Sequence, residues 1–141
     1  MKPLTPAHIE YVAYVLAQRN LGWDEPIPPF TTRYPGKLEG SLVAPFHEFG
    51  GHSPYPELED KAAALFYFMV KDHPFKNGNK RIAVTTLLVF LAESGKWIEV
   101  SPDELYRVAK AVAESDRDDK DDIVGILREF IQGNLVDYAA A

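Results

Sequence analysis

The chain has 141 residues, 46% hydrophobic and 26% charged, with no cysteine. That length fits a single domain, residues 1–141, large enough to bury a core without staples. The missing thiols exclude a disulfide framework and thiolate metal sites, and 21 acidic against 15 basic residues, a net charge of −6, argue against a protein that grips nucleic acid through its phosphates.

No apolar run approaches the ~20 residues of a membrane span. The stretch Met1 to Leu16 is interrupted by Pro3, Pro6, His8 and Glu10 and does not read as a signal peptide. The expectation is a cytoplasmic protein with neither a membrane nor a direct nucleic-acid partner. Nine of the 11 prolines precede residue 60, so the first part of the chain should be loop-rich and the remainder helical.

Thr5 can cap a first helix with Pro6 at its first position, and Ile9, Val12, Ala13 and Leu16 follow at helical spacing. Trp23 to Pro35 reads as an irregular loop. Lys37 to Val43 predicts a short helix with Leu38 and Leu42 on one face. Pro45 to Pro56 is irregular again, and its Gly50-Gly51 pair suits a small hairpin or flap. A strong helix then runs from Pro56 to about Asp72, burying Ala62, Leu65, Phe66 and Met69. Asn79 to Ser94 predicts another, with Gly95 as its stop. Its Ile82 to Ala92 stretch is apolar nearly all round, apart from Thr85 and Thr86, and belongs at the centre of a bundle. Trp97 to Val100 suits a short extended segment. Ser101-Pro102-Asp103-Glu104 is a capping-box pattern opening a helix with Leu105, Val108, Ala109 and Val112. A last helix carries Ile123, Ile126, Leu127, Phe130 and Ile131, and Ala139 to Ala141 read as a frayed tail. The fold class is all-α, with a small β element at most.

Chemistry concentrates between the two strongest helices, in His73-Pro74-Phe75-Lys76-Asn77-Gly78-Asn79-Lys80-Arg81. Pro74 disfavours helix at His73, and Gly78 permits a tight turn into the apolar helix. A helix N-terminus carries the positive end of the dipole. Lys80 and Arg81 add two cations there, which suits an anion such as phosphate. His73 supplies a titratable base, and Asn77 and Asn79 can orient a ligand or offer a carbonyl oxygen to a metal. The same residue types also serve turns and caps in purely structural loops.

This run resembles the signature of the Fic/Doc family, His-x-Phe-x-Asp/Glu-Gly-Asn-Gly/Lys-Arg. The flanks Tyr55 to Leu65 and Leu87 to Leu91 with Gly95 resemble it too, as does Gly36-Lys37-Leu38-Glu39 with Leu42, so the likeness spans roughly residues 36–130. It implies a compact Fic-fold helical bundle, with the motif loop opening a central apolar helix and a flap ahead of it that docks a protein substrate. Lys80, where AMP-transferring Fic enzymes usually have glycine, places the chain nearer the Doc (death-on-curing) toxin branch.

On that resemblance His73 is the catalytic base, and Gly78, Asn79, Lys80 and Arg81 hold the phosphates of ATP. Phe75 anchors the loop, Asn77 is a weak Mg²⁺ ligand, and His52 and Tyr55 are flap or substrate contacts. The implied activity is phosphate transfer from Mg-ATP to a threonine of a translation factor, elongation factor Tu, which inhibits translation. Two alternatives stand beside it: AMP transfer to a protein hydroxyl, and a catalytically weakened binding module. The second is motivated by Asn77, where the family has a carboxylate. The inhibitory helix pattern Ser/Thr-x-x-x-Glu-Gly/Asn fails at Glu39-Gly40, because Pro35 stands four residues earlier. Restraint would then come from a separate Phd-like antitoxin protein.

Other candidates are weaker. Glu114 to Asp122 holds six carboxylates, but Asp121 and Leu127 stand where a calcium loop needs Gly and Glu, so it reads as a solvated connection. His47, His52 and His8 lack zinc spacing. Lys37 and Glu39 are assigned structural roles. Trp23, Phe30, Phe46 and Phe49 are expected as core or flap anchors.

Overall fold

The computed structural model describes residues 3–11, 33–75 and 78–138, and among them six α-helices and two short strands carry the fold. The all-α expectation holds. Helix α1 (Pro6–Tyr11) starts where the sequence predicts. His8 N–H donates to Thr5 Oγ1 at 3.3 Å, and Thr5 N–H donates back to His8 Nδ1 at 3.0 Å. This reciprocal pair satisfies donors that a helix start leaves open. Ile9 is buried, whereas Val12, Ala13, Leu16, Trp23 and Phe30 lie outside the described residues, as does the Ala139 to Ala141 tail.

Helix α2 (Pro35–Val43) places Leu38 and Leu42 in the core, as their spacing predicts. A 3-10 turn, Ala44–Phe46, follows, and Phe46 meets Phe90 edge-on at 6.1 Å. The expected hairpin is present as a single bridge. Phe49 N–H donates to His52 O at 2.7 Å, and His52 N–H to Phe49 O at 3.0 Å. Gly50 and Gly51 between them have φ of +59° and +80°. Two successive positive φ angles make the tight turn that matches strand twist, and glycine adopts them without steric cost. Phe49 is 67% exposed at this tip, so it is no core anchor.

Helix α3 (Leu58–Lys71) buries the predicted stripe of Ala62, Leu65, Phe66 and Met69. Burial extends further, over Lys61 to Tyr67 and Met69 to Lys71. The run Ala62-Ala63-Ala64 lets neighbours approach on several sides, and α3 packs against α2 and three later helices. The two buried lysines send their ammonium groups to carbonyls. Lys61 Nζ bonds Tyr55 O, and Lys71 Nζ bonds Ser115 O and, at 3.3 Å, Ala113 O. Burying the stems is favourable only because the charged ends find partners.

Helix α4 (Asn79–Glu93) is buried from Arg81 to Leu87 and again at Phe90 and Leu91, which makes it central with α3. Gly95 ends it, and strand β1 (Lys96–Ile98) follows. Helix α5 (Pro102–Glu114) is capped as predicted, with Glu104 N–H donating to Ser101 Oγ at 3.2 Å. A 3-10 turn, Arg117–Asp119, leads into helix α6 (Lys120–Asn134). Strand β2 (Leu135–Asp137) then pairs antiparallel with β1, Val136 opposite Trp97. The β2 partner was not expected.

Helix α6 also departs from its predicted face. Val124, Leu127 and Ile131 are buried, but Ile126 is 64% exposed. Ile126 stands about 100° round the helix from Leu127, on the flank of the stripe. Among the described residues no helix is long and apolar enough to cross a membrane.

Candidate active site

The motif loop joins the C-terminal end of α3 to the N-terminal end of α4, the two most buried helices. Its conformation is held at successive residues. His73 has φ of +47°. A left-handed non-glycine residue costs about 1–2 kcal/mol, and such a conformation persists only where the surroundings over-determine it. Those surroundings are explicit. On one side Asp72 N–H donates to Phe68 O at 2.9 Å, completing α3. On the other, Pro74 O accepts from Tyr34 N–H at 2.8 Å, which ties the loop to the start of α2.

Phe75 is 1% exposed and sits in the core cluster. Its backbone is braced twice by Asn79, which is 6% exposed. Phe75 N–H donates to Asn79 Oδ1 at 2.9 Å, and Asn79 Nδ2 donates to Phe75 O at 2.8 Å. One donor and one acceptor on Phe75 admit only one orientation of the amide. Asn79 Nδ2 then stands 3.4 Å from His73 Nδ1. A proton on Nδ1 would face an amide N–H, so this contact suits the neutral imidazole.

The electrostatics act in the same direction. His73 is exposed, but partial desolvation lowers its pKa from the ordinary value of 6.5, and the cations Lys80, Lys37, Arg117 and Lys71 lower it further. They come from four elements: α4, α2, the 3-10 turn before α6, and α3. The imidazole is therefore held in its basic form at neutral pH. Lys37, read from sequence as structural, sits with its ammonium 5.2 Å from the centre of the Tyr34 ring and is among the cations that lower the His73 pKa. Only the three-dimensional packing of α2 beside the loop reveals it.

Gly78, buried, is the N-cap of α4 with φ of +74°, and its carbonyl accepts the first helical bond from Ile82 N–H at 2.9 Å. Lys80, partly exposed, and Arg81, buried, fall in the first turn. The turn thus brings His73, Asn79, Lys80 and Arg81 to the positive end of α4. Lys76 and Asn77 lie outside the described residues. His52 is exposed on the hairpin. Tyr55 is half-buried and meets Phe68 edge-on at 6.5 Å. Among the described residues no hydrogen bond, ion pair or ring contact joins either of them to His73.

The neighbourhood includes residues that motif reasoning missed. Asp72 Oδ2 accepts from Ser41 Oγ at 3.1 Å, and Arg117 NH2 donates to Lys71 O at 2.6 Å. Their separations in sequence, 31 and 46 residues, leave no local signal. Chemically the arrangement can accept a proton at His73 and hold a polyanion beside it.

Comparison with known proteins identifies the family. The sequence model of the Fic/DOC family matches residues 3–91. The chain is similar to a protein named Toxin Doc from Mycolicibacterium smegmatis, 37% identical over 60 residues. That alignment covers 43% of this chain and 46% of the relative, so the chain spans about half the length of the curated relative it matches. No solved structure matches it significantly. With the family match extending over most of the chain, and ending inside the helix that the motif opens, this protein belongs to the Fic/DOC family.

Proposed function

We propose that this chain is a Doc-like toxin that transfers phosphate from Mg-ATP to a threonine hydroxyl of a translation factor, elongation factor Tu, with a Phd-like protein as its antitoxin. The observation that supports it most is His73, with Nδ1 3.4 Å from Asn79 Nδ2, beside the N-terminal turn of α4 that carries Lys80 and Arg81. A base and a polyanion site side by side are what hydroxyl phosphorylation needs.

In this reading the threonine Oγ attacks the terminal phosphorus, the bond to the ADP oxygen breaks, and the hydroxyl proton passes to His73. A positioned base contributes ~10²–10⁴-fold. Lys80, Arg81 and the α4 N-terminus hold the phosphates, with Gly78 giving the close approach. Asn79 braces the loop and faces His73 Nδ1, and Phe75 anchors it. Among the described residues no cluster of three carboxylates or histidines forms a metal cage. The charge of this donor set fits phosphate and not a bare cation, so Mg²⁺ would be held chiefly by the nucleotide, with Asn77 as a neutral protein ligand. Bound there, the ion neutralises phosphate charge. His52 and Tyr55 are assigned to the docking of the protein substrate.

Incubation with elongation factor Tu and ATP labelled at either the α or the γ phosphate tests this. Label should enter protein from the γ position alone and vanish with His73→Ala. Label entering only from the α position would replace phosphate transfer by AMP transfer. No label from either position would leave the fold without the activity.

A further inference from the structure

The acidic connection between α5 and α6 reads from sequence as inert, yet both of its cations reach α3, the Arg117 side chain doing so while 63% exposed. Lys120 Nζ lies 5.8 Å from the centre of the Phe68 ring. Arg117 reaches the end of α3, where NH2 donates to Lys71 O at 2.6 Å and NH1 stands 3.4 Å from Asp72 Oδ1. The exchange is reciprocal, because Lys71 Nζ bonds the carbonyls of Ala113 and Ser115 at the end of α5. Two helix C-termini, each with carbonyls that lack intrahelical donors, are thus capped by a cation from the other side.

The consequence falls on the next residue. Asp72 is gripped on its two oxygens, by Ser41 from α2 and by Arg117. His73 follows directly, in a left-handed conformation its backbone does not favour. Pro74 is tied to Tyr34 on the far side. The clasp at Asp72 is the upstream half of what over-determines His73.

We propose that Arg117 is a positioning residue for His73, fixing through Lys71 O and Asp72 the turn on which the base is carried. It acts without touching substrate, and the inference rests on the reading of His73 as the base. It extends the working site to the α5–α6 connection, outside residues 3–91. The charges that act on His73 are those of Lys80 on α4, Lys37 on α2, Arg117, and Lys71 at the end of α3, and the Asp72 carboxylate on the preceding residue is the one Arg117 meets. Arginine suits the task because its planar fork serves two acceptors at once, which an ammonium does less well.

The experiment compares the full chain with Arg117→Gln and Arg117→Lys, after thermal unfolding has shown each to be folded. Two readouts are taken: titration of the His73 ring by NMR, and transfer from γ-labelled ATP to elongation factor Tu. Arg117→Gln should raise the His73 midpoint, because a cation is removed, and lower kcat about tenfold or more with KM for ATP unchanged. Arg117→Lys should restore the midpoint more than the rate. Unchanged His73 signals and unchanged kcat in folded Arg117→Gln overturn the proposal. If Arg117→Gln does not fold, Arg117→Lys decides, and wild-type kcat in it overturns the proposal. A wild-type chain that transfers no label while His73 still shifts in Arg117→Gln would defeat the proposed function and leave the clasp standing.

Discussion

Asn79 offers the sharpest test of how the motif loop is built. Replacing it with Ala removes the bonds of 2.9 and 2.8 Å to the Phe75 backbone. Phe75 is 1% exposed, so its N–H and C=O are not simply handed to water. A typical buried hydrogen bond contributes ~0.5–1.5 kcal/mol net, and a polar group left buried and unpaired costs ~1–3 kcal/mol. For two such groups, with some relaxation of the loop, the expected loss is about 2–4 kcal/mol. That is a large share of the ~5–15 kcal/mol by which a domain is stable. In urea the midpoint should fall by about 1–2 M with its slope unchanged.

Asn79→Asp separates bracing from orientation. The carboxylate still accepts from Phe75 N–H, but its second oxygen now faces Phe75 O and His73 Nδ1. Stability should fall again, and the His73 pKa should rise, because a donor opposite Nδ1 has become an anionic acceptor. Urea titration of both variants and NMR titration of His73 are the assays. A midpoint within about 0.3 M of wild type for Asn79→Ala would refute the brace. An unchanged His73 pKa in Asn79→Asp would refute the contact at Nδ1.

Three further outcomes follow from the same geometry. The depressed His73 pKa means that the unfolded chain binds this proton first as pH falls below 6.5, so folding stability is lost from there down to the folded value. His73→Gln should remove that part of the pH slope in urea midpoints, and transfer by wild type should persist on the acid side of 6.5; the same slope in the variant would contradict the shift. Phe75→Ala, at a fully buried site, should cost about 3–5 kcal/mol by thermal or urea unfolding, and a loss under about 1 kcal/mol would deny it an anchoring role. Ile126→Gln, at an exposed flank, should change stability by no more than about 0.5 kcal/mol, and a larger loss would show that the flank is covered.

Much of the fold was legible because its signals are local. Thr5, Ser101 and Gly95 act within three or four residues of themselves, and Leu38 with Leu42 needs only helical spacing. Gly50-Gly51 predicted its turn because two positive φ angles leave few other choices. What was missed depends on distant partners. Leu135 to Asp137 is a strand only because Lys96 to Ile98 lies beside it. Ile126 looks like a core residue until α5 and α6 fix which flank faces water.

The candidate site divides in the same way. His73, Phe75, Gly78, Asn79, Lys80 and Arg81 are contiguous, so a motif contains them, although the role of Asn79 within the loop shows only in its bonds to Phe75. Ser41 and Arg117 reach Asp72 from other elements, and Lys37 acts on His73 through its charge; neither spacing nor composition marks these roles.

Charge shows why a sum over sequence hides this. Glu114 to Asp122 holds six carboxylates against Arg117 and Lys120, a net of −4 out of the chain's −6. Counted that way, the segment should repel ATP. Direction changes the sign of its effect. Arg117 is turned toward the end of α3 and lowers the His73 pKa. Lys120 lies over Phe68, one turn before that end. Of the carboxylates, Asp116 is spent on capping the Asp118 N–H at 2.9 Å, and Asp118, Asp119, Asp121 and Asp122 are exposed, where water and salt screen them. Arg117 is exposed too, and what distinguishes it from the carboxylates is its placement, on the Lys71 carbonyl and beside Asp72 next to His73. An acidic connection can therefore still bring a cation to the end of α3 beside His73, so the chain's net charge does not argue against the proposed polyanionic substrate.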